Sequence, residues 1–131
     1  MRTISNAGMK TPIILIFDHE EAVRESLQLV LSEEGFACYI ANTEKDALQL
    51  LDSKAVDMTI LDSRIVETTD ILEKIKETHP HIKIVILSSY SEFEITQQAL
   101  AAGANDYALK PLDFDELIAL INNTLSITNN D

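Results

Sequence analysis

Four apolar stretches of this chain each run into residues that can do chemistry. Asp18, His19 and Glu20 follow Ile13-Ile14-Leu15-Ile16-Phe17, and Asp62 follows Met58-Thr59-Ile60-Leu61. Ser88 follows Ile84-Val85-Ile86-Leu87, and Lys110 follows Tyr107-Ala108-Leu109. Carboxylates hold a hard divalent cation such as Mg²⁺. A carboxylate can also be a nucleophile, forming an aspartyl phosphate. A lysine ammonium is a mobile point charge for phosphate oxygens, and a serine hydroxyl can donate to another of them. Gathered at one place, these residues suit a bound cation beside a phosphoryl group.

Whether they gather depends on the elements that carry them. Short apolar runs without charge read as strands buried on both faces, as in a parallel sheet. Five are predicted, at 13–17, 36–40, 58–62, 82–87 and 105–109. Between them lie patterns of helical period. The first helix spans 20–34, with Val23, Leu27, Val30 and Leu31 on one stripe, and Gly35 ends it. Thr43 with Asp46 caps a second helix reaching about Ser53. A loop over 63–70 leads to a third helix over 71–78, stopped before Pro80. Ser91 with Glu94 caps a fourth that ends at Gly103, and Asp113 with Glu116 opens a fifth carrying Leu117, Leu120 and Ile121.

Strand and helix alternate five times, so the expected class is α/β. The architecture is flavodoxin-like (βα)5: a five-stranded parallel sheet in order 2-1-3-4-5 with helices on both faces. In that order the first and third strands are neighbours, and Asp18 and Asp62 flank the switch point at their carboxyl ends, where open α/β sheets bind ligands.

The totals fit one domain. The chain has 131 residues, 46% hydrophobic and 24% charged, with three Gly and three Pro. The expected organisation is a flexible leader over 1–11, a folded unit over 12–125, and a frayed tail or truncated linker over 126–131. No run is long enough to span a bilayer and no signal peptide is visible, so a cytoplasmic location is expected, with no membrane partner. A net charge of −12 argues against direct nucleic-acid binding by this domain. The single cysteine, Cys38, excludes an internal disulfide and reads as a buried thiol. His79-Pro80-His81 reads as a helix-ending loop rather than a metal pair.

The motifs Ile-Leu-Ile-Phe-Asp18-His19-Glu20-Glu21, Thr-Ile-Leu-Asp62-Ser-Arg, Ile-Val-Ile-Leu-Ser88-Ser-Tyr-Ser-Glu-Phe-Glu and Ala-Gly103-Ala-Asn-Asp-Tyr107-Ala-Leu-Lys110-Pro111 stand in this order. Together they resemble the response-regulator receiver domains of two-component signalling, typified by the chemotaxis response regulator. The resemblance covers about 12–125. It implies that Asp62 is the phosphoacceptor, charged by a histidine kinase or phosphotransfer protein. It makes Asp18 and Asp62 ligands of Mg²⁺, joined by the backbone carbonyl of Arg64. It puts Ser88 against the phosphoryl group, Tyr107 at the aromatic switch position, Lys110 on the phosphoryl oxygens, and a cis bond between Lys110 and Pro111. It further implies that phosphorylation biases the face of the fourth helix, fifth strand and fifth helix toward an output domain, a protein partner or a second copy.

Two departures stand out. His19 occupies the second place of the family's acidic pair, and imidazole suits softer metals than Mg²⁺. Weaker or altered metal dependence is expected, with Glu20 a substitute ligand if the loop shifts. After Asp62 the family's Met-Pro-Gly-Met-Asp-Gly is replaced by Ile65-Val66-Glu67-Thr68-Thr69-Asp70, two residues shorter and without Pro or Gly. These departures keep open a degenerate receiver that docks or dimerises without phosphorylation. Other classes fit less well. An aspartate-nucleophile phosphatase wants a second acid where Arg64 stands, and a flavodoxin wants hydroxyls and glycines where Asp18-His19-Glu20-Glu21 stands. A serine hydrolase at Ser88-Ser89 would need an elbow glycine.

Overall fold

A computed structural model of the chain describes residues 11–126. The expected leader and tail therefore fall, all but residues 11 and 126, outside the described residues. The strands are β1 (Ile13–Phe17), β2 (Ala37–Ala41), β3 (Met58–Asp62), β4 (Lys83–Ser88) and β5 (Asp106–Leu109). The helices are α1 (Glu21–Glu33), α2 (Glu44–Ser53), α3 (Ser63–Thr68), α4 (Ile71–Thr78), α5 (Phe93–Ala101) and α6 (Phe114–Thr124), with a 3₁₀ turn over Tyr90–Glu92. All strand pairs are parallel, in the order β2-β1-β3-β4-β5.

Alternation along each strand builds two cores. Leu15, Phe17, Leu61, Ile84 and Ile86 face one way and meet Ala47 and Leu51 of α2, Ile71, Leu72 and Ile75 of α4, and Ala99 of α5. Ile14, Ile16, Met58, Ile60, Val85 and Leu87 face the other way and meet Leu27 and Leu31 of α1 and Leu117, Ile118 and Ile121 of α6. All five residues of β3 are buried, as expected of a strand with neighbours on both sides and helices on both faces. In register, Phe17 pairs with Leu61 and Asp62 with Leu87. The next residue of β1 therefore arrives beside Asp62.

Local signals explain most helix ends. Thr43 Oγ1 accepts from the Asp46 amide at 3.0 Å, and Asp113 Oδ1 accepts from the Glu116 amide at 3.1 Å. Gly35 follows α1 with φ 102°, where the Phe36 amide reaches back to the Leu31 carbonyl at 3.1 Å. Two expectations fail. Ser91 does not cap α5: a 3₁₀ turn intervenes, Glu92 holds the cap position without a side-chain cap bond, and Ser91 Oγ meets Ser89 Oγ at 3.2 Å.

The larger correction concerns the stretch after Asp62. The expected loop over 63–70 is mostly helix α3. Asp62 is its cap, with Oδ1 accepting from the Arg64 amide at 3.3 Å. Without Pro or Gly the chain has nothing to break the first turn. Thr68 and Thr69 hydroxyls close it by donating to the carbonyls of Arg64 and Ile65 at 2.8 and 2.7 Å. Ile65 and Val66 pack against the core under α2, α4 and α5. A loop two residues shorter is thus converted into one and a half helical turns.

Candidate functional site at the carboxyl edge of the sheet

Asp18 and Asp62 are 0% and 1% exposed, although each is an acid at the end of an apolar strand. Burial of unpaired carboxylates is costly, so their partners define the site. Lys110, the residue after β5, supplies the principal one. Its Nζ lies 3.1 Å from Asp18 Oδ2, 3.7 Å from Asp62 Oδ1 and 3.1 Å from Glu20 Oε1. The Lys110 amide donates to the Ser88 carbonyl at 2.8 Å, which prolongs the β4–β5 ladder and aims the lysine at the two acids. The Lys110–Pro111 peptide is cis.

Asp18 is held from three sides. Its Oδ1 accepts from the Glu20 amide at 2.8 Å, and its carbonyl accepts from Arg24 Nη1 at 2.8 Å. Its Oδ2 faces Lys110 but has no aligned hydrogen bond. Burial pushes the Asp18 carboxyl above its ordinary value; the Glu20 amide opposes this, and the neighbouring charge of Asp62 adds to it. Burial alone would lower the Lys110 ammonium, but Asp18, with Asp62 and Glu20, outweighs that and holds it above its ordinary value.

His19 enters the same space. Its Nδ1 pairs with Asp62 Oδ2 and lies 3.8 Å from Asp18 Oδ1. Asp18, His19 and Glu20 each bring a ligand atom into one group compact enough to hold a metal ion. An unbonded buried carboxylate oxygen at Asp18 fits a cation in this place. The imidazole fits a borderline ion better than Mg²⁺.

Ser88 is buried at the same edge, but its hydroxyl is directed elsewhere. It accepts from Thr96 Oγ1 at 2.7 Å and donates to the Ser89 carbonyl at 3.1 Å. Tyr107 packs edge-to-face on Phe93, ring centroids 5.4 Å apart. The Arg64 carbonyl accepts from Thr68 Oγ1 at 2.8 Å.

Three contributors have no role assigned in the motif reading. Thr96, fully buried in α5, holds Ser88. Glu92 accepts from Ser63 Oγ, also takes a bond from Ser89 Oγ at 3.3 Å, and stands 3.8 Å from Arg64, so it ties α3 to the start of α5. Arg24 braces the turn at Asp18. Thr96 was the most accessible of these, as a polar residue three positions after Phe93 on an inward stripe.

The model of the response regulator receiver domain matches residues 14–122. The chain belongs to that family. It is 34% identical over 117 residues to the transcriptional regulatory protein ZraR of Escherichia coli K12, covering 88% of this chain and 26% of ZraR. It is 29% identical over 120 residues to the DNA-binding transcriptional regulator NtrC of the same organism, covering 90% of this chain and 26% of NtrC. The crystal structure of the receiver domain of NtrX from Brucella abortus superposes with a TM-score of 0.80 at 28% identity, covering 88% of this chain and 99% of that one. The chain thus spans about a quarter of the length of the curated relatives it matches. It is a receiver domain of the two-component response regulators, and no described helix is long and apolar enough to cross a membrane.

Proposed function

We propose that Asp62 accepts a phosphoryl group from a phosphohistidine of a histidine kinase or phosphotransfer protein. A carboxylate oxygen of Asp62 attacks phosphorus, the P–N bond to the donor imidazole breaks, and an aspartyl phosphate forms. Lys110, already poised between Asp62 and Asp18, receives the phosphoryl oxygens. Asp18, Asp62 and a neighbour from His19 or Glu20 would hold a divalent cation, which when bound neutralises charge on the phosphoryl group. Ser88 leaves Thr96 for the phosphoryl oxygens, and Tyr107 follows into the space released. The new charge, about −1.5 to −2, thereby biases the surface of α5, β5 and α6. That surface passes the state to an output segment, a partner protein or a second copy of the chain.

The observation that carries this reading is the Lys110 ammonium set between two buried carboxylates at the ends of β1 and β3. The test is NMR of the chain with beryllofluoride, once with Mg²⁺ and once with Zn²⁺. Shifts are expected at Ser88, Tyr107 and Lys110, and none in Asp62→Asn. A folded wild-type sample that responds with none of these ions overturns the proposal.

A further inference from the structure

We propose that His19 is a metal ligand and that this site selects a borderline transition ion, of the Co²⁺ to Zn²⁺ class, over Mg²⁺. The inference rests on the reading of Asp62 and Asp18 as a cation site and deepens it by naming the ion class.

Three observations converge. The first is position. The His19 ring is not turned to solvent; its Nδ1 is directed at Asp62 Oδ2 and stands 3.8 Å from Asp18 Oδ1. Donors bonded to one transition ion at about 2.1 Å sit roughly 3 to 3.5 Å apart, so His19 Nδ1 and Asp18 Oδ1 need only a small adjustment to share an ion, with the ring moving off Asp62 to admit it. The second is the unfilled valence. Asp18 is fully buried, yet its Oδ2 has no aligned hydrogen bond and meets only the Lys110 ammonium. The third is the donor type. Placing an imidazole nitrogen where the family has a carboxylate oxygen moves the donor set from all-oxygen, which suits Mg²⁺, to mixed nitrogen and oxygen, which suits Co²⁺, Ni²⁺ or Zn²⁺. Glu20 lies in one compact group with Asp18 and His19, and it exchanges its contact with Lys110 for the ion.

The other two imidazoles, His79 and His81, have ring centroids 6.3 Å apart and are removed so that only His19 can supply a nitrogen ligand. The experiment is therefore run in a His79→Ala, His81→Ala background. Affinities for Zn²⁺ and Mg²⁺ are measured by calorimetry, and Mn²⁺ or Cu²⁺ is bound for pulsed electron paramagnetic resonance. Expected are a nitrogen coupling in the parent that is lost in His19→Asp, and a Zn²⁺:Mg²⁺ affinity ratio that falls in that variant. The fall should be at least the roughly tenfold that even an outer-shell partner is worth. His19→Asp should also bind Mg²⁺ more tightly than the parent. Because carboxylates alone favour Zn²⁺ to some extent, the change in ratio and the nitrogen signal decide. A ratio that does not move, or a nitrogen coupling that persists in His19→Asp, overturns the inference. The two readings fail separately. A beryllofluoride response with an unchanged metal ratio leaves the phosphoacceptor and removes the ligand. A nitrogen-coordinated ion without any beryllofluoride response does the reverse.

Discussion

The two flanks of Asp62 are built by different means. Toward β4 and β5 the neighbours are carried by paired strands: Asp62 lies opposite Leu87, Ser88 opposite Leu109, and the next residue is Lys110. Toward β1 and α3 the neighbours are carried by turns: His19 on the turn after β1, and the helical cap that Asp62 makes with its own following residues. On the first flank the residue types match the receiver pattern. On the second an imidazole and a helix stand in for a carboxylate and an open loop. A ladder of hydrogen bonds holds a strand end in place whatever follows it, whereas a turn takes the shape that its own caps and breakers allow.

The largest test of this contrast is Lys110→Ala. If the strand-held flank carries the chemistry, phosphoryl uptake from acetyl phosphate falls by about 10²-fold, the scale of losing one preorganised charge stabiliser. Stopped-flow fluorescence of a labelled α5 variant reads the rate, and an unchanged rate would place the chemistry on the other flank. Next in size is Ser63→Ala, which removes the hydroxyl that α3 donates to Glu92 and leaves the acid only Ser89 Oγ and the more distant Arg64. Local opening near the 3₁₀ turn should become easier by about 1–3 kcal/mol, the range for a charged hydrogen-bond acceptor left short of a donor. Hydrogen exchange at the Glu92 and Phe93 amides should quicken while β3 amides stay protected.

A smaller effect is expected from Asp18→Asn. Because burial raises the Asp18 carboxyl, the folded state binds that proton more tightly than the unfolded chain does. Stability contributed by protonated Asp18 is lost as pH rises from its ordinary value, 3.8, through the raised one. At neutral pH the variant should therefore melt a few degrees higher, and the gap should narrow on acidification. Thermal scans at pH 7 and pH 4 measure both; a wild type more stable than Asp18→Asn at pH 7 would mean that the Lys110 pairing outweighs the burial. Smallest is the response of Cys38. Burial pushes its thiol up to about 11, with Ser32 opposing. Alkylation by iodoacetamide should still be accelerating at pH 10, in the folded protein only.

Much of this was legible in the residues. Apolar runs at strand length and stripes at helical spacing gave the element order, and the (βα)5 alternation restricted the topology. The 71–78 helix, the Thr43 and Asp113 caps and the Gly35 stop all follow from local chemistry. What escaped had a local rival. Ser63 to Thr68 reads as loop because its helical stripe is too short to register by period. Ser91 with Glu94 satisfies a capping pattern, but Glu92 is drawn to Ser63, across from α3, and the chain takes a 3₁₀ turn first.

The sequence alone determined which side chains could meet, because strand periodicity and alternation with helices place Asp18, Asp62, Ser88 and Lys110 at one sheet edge. Only the tertiary structure decided how they meet. His19 turns onto Asp62, Ser88 turns away to Thr96, and the Arg64 carbonyl is taken into α3. Those are choices among rotamers and turns separated by single hydrogen bonds, and the partners of His19 and Ser88 lie on other elements.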